Sequence, residues 1–123
     1  AVEEFGPLVT DYARPDFAQP RAYKARIVGQ VLHIDDFGNV ITNIDDRSVD
    51  RLVGIGGVLR VALGRKALTL RRCKTYADVP AGSPLALIGS AGYLEIAVNQ
   101  GNAAKAFGVE VGDPVQIRLP RLH

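Results

Sequence analysis

The sequence predicts an all-β fold: a small closed β-barrel with one short helix, preceded by an extended linker. Three observations carry that expectation. The chain has 123 residues with 13 Gly and 7 Pro, and breakers at that density keep elements short and joined by tight turns. Apolar and polar residues alternate in brief runs bounded by Gly, Pro, Asn and Asp, the pattern of half-buried strands. Only one segment, "NAAKAF", combines small residues with a cap at each end, as a helix requires.

The elements follow in order. The opening "GPLVTDYARPDFAQPRAYK" holds three prolines and little periodicity, so residues 1–24 read as an extended linker and residues 25–123 as the barrel domain. "ARIVGQVLHI" reads as a strand, with Gly29 a place for a bulge or bend. "NVITNI" continues as a second strand beyond the Phe37–Gly38 corner. "DDRSVDRLVGIG" allows a single helical turn that begins on a short polar residue and ends at Gly54. "GVLRVALG" and "KALTLRRC" read as a hairpin around Gly64–Arg65. "SPLALIG" and "YLEIAVN" form another around Gly89-Ser90-Ala91-Gly92. The helix "NAAKAF" takes Asn102 as its cap and Gly108 beyond its end, and "VEVGDPVQIRLP" closes with a turn and a last strand.

Composition excludes several function classes. With 47% hydrophobic and 23% charged residues the chain is ordinary for a globular domain, and no apolar run is long enough to span a bilayer. Its N-terminus is acidic and broken by Pro, unlike a secretory signal. One cysteine, Cys73, leaves no internal disulfide framework and suits a reducing cytoplasm. Two histidines, His33 and His123, with that cysteine do not make a zinc set, so no metal is expected. The net charge of +2 is mild. The densest basic run, Arg71, Arg72 and Lys74, reads as a solvated strand surface, and no nucleic-acid partner is expected. "GIGGVL" has Leu59 where a dinucleotide loop needs a third glycine, and no Ser/His/Asp set can be assembled.

Binding groups are plentiful by contrast. "HIDDFGNVITNIDD" crowds short polar residues at the end of an apolar strand. Gly38 permits a positive φ, so Asp35, Phe37 and Asn39 can converge around a sharp corner. The Asn39 amide both donates and accepts, the pairing that an adenine N6/N7 edge needs. Asp35 offers a negative charge to an ammonium. An Asx turn that satisfies local backbone groups is the alternative reading of this corner. "GSAG" allows a nest of backbone N–H groups around Ser90, or an ordinary hairpin turn. Tyr76 lies in a polar, turn-rich stretch, where it can stack on a flat base or rest on a neighbouring strand. Glu95 stands on the opposite strand face from Leu94 and Ile96, facing either solvent or a binding mouth.

Taken together, "GQVLHIDDFGNVITNI" and "CKTYADVPAGSPLALIGSAGYLEIAVNQGNAAKAFGVEVGDPVQI" resemble the C-terminal domain of the S-adenosylmethionine hydrolases, also called S-adenosylmethionine hydroxide adenosyltransferases, relatives of the fluorinases and chlorinases. The likeness runs from Arg26 to Leu119, and "EEFGPLV" looks like the tail of the family's N-terminal domain entering the interdomain linker. The resemblance implies a substrate, S-adenosylmethionine, that is converted with water to adenosine and methionine, and no cofactor. It implies an N-terminal α/β domain that supplies the catalytic Asp-Arg-His set, so that no catalytic residue is expected here and these residues alone would be inactive. It also implies homotrimers, with each site between the N-terminal domain of one subunit and the C-terminal domain of its neighbour.

Carried over by position, the resemblance gives Asn39 the adenine edge, Tyr76 the base face and the Val98 backbone the adenine amino group. Ser90 would hold the methionine amino-acid end, with Asp35 and Glu95 near its ammonium, and Phe37 would support the corner or touch the base. Halogenating relatives carry an arginine after the serine; Ala91 stands there, which with Glu95 favours the hydrolase branch. A free-standing barrel that binds nucleotides or RNA without chemistry is the competing reading.

Overall fold

The computed structural model describes residues 26–120, so the expected linker lies outside the described residues, as does His123. Seven antiparallel strands run β1 (Arg26–Ile34), β2 (Val40–Asp45), β3 (Val58–Leu63), β4 (Lys66–Arg71), β5 (Pro84–Ile88), β6 (Tyr93–Val98) and β7 (Pro114–Arg118). Two short helices interrupt them, α1 (Asp46–Leu52) and α2 (Ala103–Phe107). The strands form one sheet in the order β4-β3-β7-β1-β2-β6-β5. A parallel bridge between Arg72 and Ala86 ties the two edges together, so the sheet nearly closes on itself. The all-β barrel that the sequence predicts is the architecture observed.

The period-2 pattern explains the closure. Val31, Val40, Leu59, Val61, Leu63, Leu70, Leu94, Ile96, Val115 and Ile117 point inward and are almost fully buried in one cluster. Each of them alternates along its strand with a more exposed neighbour. Thr42 is the polar exception inside. Its hydroxyl donates to the Leu94 carbonyl at 2.9 Å and accepts from the Ile44 N–H at 3.2 Å, bridging the point where the β2–β6 register slips.

Of three local expectations, two are refined and one is met. The register of β1 against β2 shifts between Val31 and His33, not at Gly29. Gly29 instead faces the Asn43 side chain, whose Oδ1 accepts from the Gln30 N–H at 2.8 Å. The single helical turn expected before Gly54 is a seven-residue helix, capped by Asp45 through the Ser48 N–H at 2.8 Å. It ends on Val53 in an extended conformation rather than on a glycine. Burial of Val49 and Leu52 against the core extends it, and the Arg72 guanidinium clamps its end by donating to Asp50 at 2.6 Å and to the Val53 carbonyl at 2.8 Å. The third expectation, α2, has its Asn102 cap and a left-handed Gly108 at its end.

A second, smaller cluster positions the site. Leu85, Leu87 and Ala97 face out of the barrel and are buried with Cys73 beneath the chain that follows β4, with Val79 packed against them. This miniature core folds residues 73–80 down over the outer face of β5 and β6.

Candidate functional site

Glu95 shares that outer face: it pairs with Leu87 across β5 and with Ile41 across β2. Asn39 precedes β2 by one residue and, two positions from Ile41, projects to the same side. The 3₁₀ turn Tyr76–Asp78 is carried in by the small outer core. Asp35, Asn39, Tyr76 and Glu95, spread over sixty residues of chain, therefore meet beside the β1–β2 corner. Their meeting place is the outer surface of β2 and β6 rather than the interior end of the barrel.

A chain of hydrogen bonds connects them. Asp35 Oδ1 accepts from the Phe37 and Asn39 N–H groups, both at 2.9 Å, and Oδ2 accepts from Asn39 Nδ2 at 3.0 Å. Asn39 Nδ2 also donates to the Tyr76 hydroxyl at 3.4 Å, and that hydroxyl donates to Glu95 Oε1 at 3.3 Å. The Asx-type turn weighed for this corner is present, and it takes part in the wider network. Asn39 is only 8% exposed, whereas Phe37, at the tip of the corner, is 76% exposed.

The backbone of the corner explains the convergence. Gly38 N–H donates to the Asp35 carbonyl at 3.0 Å and Asp35 N–H to the Asn39 carbonyl at 3.1 Å, a three-residue hairpin loop closed by a glycine at φ 85°. A Cβ on Gly38 would run into the Asn102 side chain. The Gly38 carbonyl also accepts from the Ala104 N–H at 2.9 Å, so the start of α2 buttresses the corner.

Electrostatics set the two carboxylates apart. Burial would raise the Asp35 carboxyl, but the hydrogen bonds from Asn39 and Phe37 outweigh it and hold the group below the usual carboxylate range. Burial pushes the Glu95 carboxyl up, the Asp35 charge adds to that, and the Tyr76 hydrogen bond only partly opposes it. Burial and the Glu95 charge likewise raise the Tyr76 phenol. No ion pair to a basic side chain neutralises Asp35 or Glu95 among the described residues. The cluster is thus a negative, acceptor-rich surface suited to a cationic or amine-bearing ligand.

The other candidates flank it. Ser90 is exposed in the loop before β6, and its side chain makes no hydrogen bond among the described residues. The nest weighed there is limited, because the Gly89 and Gly92 N–H groups donate within the loop, to Tyr93 and Gly89 at 2.9 Å each. The sequence reads Gly89 only as a turn or nest glycine, yet a Cβ there would collide with the Glu95 carboxylate. Its two-glycine spacing around Ser90 was the available signal. Val98, half-buried at the end of β6, accepts through its carbonyl from the Gly101 N–H at 3.0 Å. Ser90 and Val98 lie on either side of Glu95: Val98 leads through its turn to Asn102 and Gly38, and the Ser90 loop meets α1 through the Asp46 N–H and the Gly92 carbonyl. Among the described residues no group of His, Cys, Asp and Glu is disposed to hold a metal ion. No helix among the described residues is long and apolar enough to cross a membrane.

Comparisons with known proteins give the family of the chain. The family model for the S-adenosylmethionine hydroxide adenosyltransferase C-terminal domain matches residues 29–116. An (R)-S-adenosyl-L-methionine hydrolase of Thermus thermophilus is 42% identical over 89 residues, covering 72% of this chain and 31% of that protein. A fluorinase of Nocardia brasiliensis is 37% identical over 97 residues, covering 76% of this chain and 32% of that protein. The chain thus spans about a third of the length of these curated relatives. Among solved structures, an uncharacterised conserved protein of Thermotoga maritima superposes with a TM-score of 0.72 at 37% identity, over 89% of this chain and 42% of that one. A conserved hypothetical protein of Thermus thermophilus gives 0.58 at 39% identity, over 73% and 34%. The matched residues include the corner, the Tyr76 turn, the Ser90 loop and β6, and on that footing the chain belongs to the S-adenosylmethionine hydroxide adenosyltransferase family and carries its C-terminal domain.

Proposed function

We propose that this chain is the substrate-binding part of an S-adenosylmethionine hydrolase, holding the adenine and methionine ends of the substrate while water attacks the ribose C5′. The observation that carries the reading is the Asp35–Asn39–Tyr76–Glu95 network, which gathers two carboxylates, neither in an ion pair among the described residues, beside an exposed aromatic. A ligand with a flat base, a sulfonium and an ammonium complements such a surface. Asn39 and Tyr76 meet the adenine, with the Val98 backbone at its amino group and Phe37 at the rim. Asp35 and Glu95 attract the ammonium, and Ser90 takes the amino-acid end.

The Thermus hydrolase is a relative at 42% identity, and Ala91 stands where halogenating enzymes carry arginine, so hydrolysis is preferred over halogenation. Methionine is already a good leaving group on the sulfonium. Positioning and activation of water are then the remaining tasks, and they fall to a catalytic Asp-Arg-His set on an N-terminal α/β domain of the same or a neighbouring subunit, in a cytoplasmic homotrimer. No cofactor takes part.

The test has two arms. Titrated with adenosine or S-adenosylmethionine, this chain should show amide shifts at Asn39, Glu95 and Val98 with affinity of about millimolar order, because half a cleft must offset the entropy of association unaided. Joined to the α/β domain, it should release adenosine, and alone it should release none above buffer. Protein-dependent adenosine release by the chain alone, or tight salt-dependent RNA binding without nucleoside binding, would overturn the reading.

A further inference from the structure

The sheet is sorted by charge. Its four contiguous strands β4, β3, β7 and β1 carry Arg26, Arg60, Lys66, Arg71 and Arg118, and no Asp or Glu. The other three, β2, β6 and β5, carry Asp45 and Glu95, and no Lys or Arg. The Asp35–Glu95 cluster belongs with the acidic half and gives the cationic half no purpose.

Strand pairing concentrates that positive charge. Arg26 is the Cα partner of Arg118 across β1 and β7, and Arg118 is the partner of Arg60 across β7 and β3. Their chain neighbours Ile27, Ile117, Leu59 and Val61 pack in the core, so all three arginines stand on the outer face. Thr69 extends the row onto β4, and its Oγ1 accepts from the Arg60 guanidinium at 3.3 Å. Like charges directly opposite destabilise a sheet, and Arg118 has one on either side. No carboxylate offsets them among the described residues: Asp50 is bound to Arg72, and Asp113, just before the other end of β7, accepts from the Glu110 N–H at 2.9 Å. The next row on the same face, Val28, Gln116, Ala62 and Ala67, is uncharged.

We infer that the Arg26–Arg118–Arg60 row binds a linear oligophosphate, at a second site that does not depend on the nucleoside reading above. Adjacent strands lie about 4.8 Å apart, so the three positive charges are rooted close together and evenly. An extended acidic peptide turns a carboxylate to one side only about every 6.6 Å and falls out of step with them. A phosphate chain carries ionised oxygens on every phosphorus and so meets each guanidinium, whose planar fork suits two oxygens of one phosphate. Thr69, an acceptor toward Arg60, keeps its hydroxyl hydrogen to donate at the end of the row. A single nucleic-acid strand fits less well, because β1, β3, β4 and β7 hold no Phe, Tyr or Trp on which a base could stack.

Amide shift titration of the isotope-labelled chain with inorganic tripolyphosphate tests this. Shifts should gather at Arg26, Arg60, Thr69 and Arg118 and leave Asn39 and Glu95 unmoved. Arg118→Gln should weaken binding at least tenfold, and Arg60→Gln should do the same, so that the test survives if one variant fails to fold. Arg51→Gln, an equal loss of charge on α1, should change binding less than twofold. Equal weakening by the row and α1 substitutions would overturn the inference, since net charge alone would then attract the anion. Cytidine triphosphate separates the two sources of such a chain. Binding on this row no tighter than tripolyphosphate assigns the free chain, and tighter binding assigns a nucleotide's. An oligo-aspartate or a single-stranded oligonucleotide that binds the row more tightly than tripolyphosphate at equal ionic strength overturns the inference, in favour of an acidic protein or a nucleic acid. So does the absence of tripolyphosphate binding at low salt.

Discussion

Two loops of this barrel share a backbone and differ in chemistry. Asp36–Gly38 joins β1 to β2, and Ser90–Gly92 joins β5 to β6. Each has three residues, ends on a glycine with φ of 85° or 86°, and makes the same pair of backbone hydrogen bonds. The residue that opens each loop is where they part. Asp35 opens the first and turns its carboxylate back onto the loop's own N–H groups. Gly89 opens the second, and its missing side chain leaves room for the Glu95 carboxylate from the neighbouring strand. A common turn thus brings two carboxylates to one surface by opposite means. The turn is generic; the leading residue makes the site.

The loops differ again at their closing glycines. Gly38 is packed on Asn102, while nothing lies within 4 Å of a Cβ placed on Gly92. Gly38→Ala should therefore be the most damaging change, lowering stability by about 3 kcal/mol, since left-handed strain and overpacking act together. Urea unfolding measures it. Adding Asn102→Ser, which keeps a helix cap but shortens the side chain, should recover part of the loss as a coupling energy. Strict additivity of the two changes would show that packing on α2 contributes nothing.

Asp35→Ala comes next, at about 1–2 kcal/mol, because three hydrogen bonds to a partly exposed carboxylate are lost together. Its sign with pH follows from the depressed carboxyl. In the folded chain Asp35 keeps its charge at a pH where the unfolded chain has begun to take up a proton. The stabilisation is therefore complete above the ordinary carboxyl value of 3.8 and disappears as pH falls through the lower folded value. Wild type and Asp35→Ala should converge in acid and separate near neutrality. A gap that persists undiminished at low pH would mean that the charge is irrelevant to the corner.

Much of this was legible in the sequence, and the reason differs from place to place. Strand alternation and Gly-bounded turns revealed the barrel because burial on one face imposes period 2 on each strand separately. The corner was legible because Asp, Gly and Asn carry their turn preferences locally. Its partners were not readable from the residues alone: Tyr76 reaches Glu95 only because Leu85, Leu87, Ala97 and Cys73 form a second core on the outside of the sheet. In sequence those residues look like the ordinary outward half of two strands. Gly89 was hidden for the same reason, since its purpose is space for a side chain six residues away. The length of α1 escaped because tertiary burial of Val49 and Leu52, not local propensity, sustains it.

Gly92→Ala isolates the strain that Gly38→Ala mixes with packing. The backbone there is left-handed but the space is open, so the cost should be about 1 kcal/mol. The cleft should be untouched, with the amide shifts of Asn39 and Glu95 on adding adenosine unchanged. A loss as large as that of Gly38→Ala would erase the distinction between the loops.

Glu95→Gln should have the smallest effect on stability, and the opposite sign. Burial raises the Glu95 carboxyl above its ordinary value of 4.5, so across the window between the two values the folded chain holds more protons than the unfolded one. By linkage, stability then falls as pH rises through that window, and above it the ionised group remains a standing penalty. Gln keeps an acceptor for the Tyr76 hydroxyl while removing the charge. Thermal unfolding at pH 7 should therefore find the variant at least as stable as wild type, with the two converging below about pH 4.5, where Glu95 is neutral in both states. The same substitution should weaken a cationic ligand more than neutral adenosine, because it removes one of the two negative charges of the cluster. A variant that is clearly less stable at pH 7 would mean that the Tyr76–Glu95 hydrogen bond outweighs burial of the charge. Glu95 would then support the fold much as Asp35 does, and the two loops would be alike in chemistry as well as in backbone.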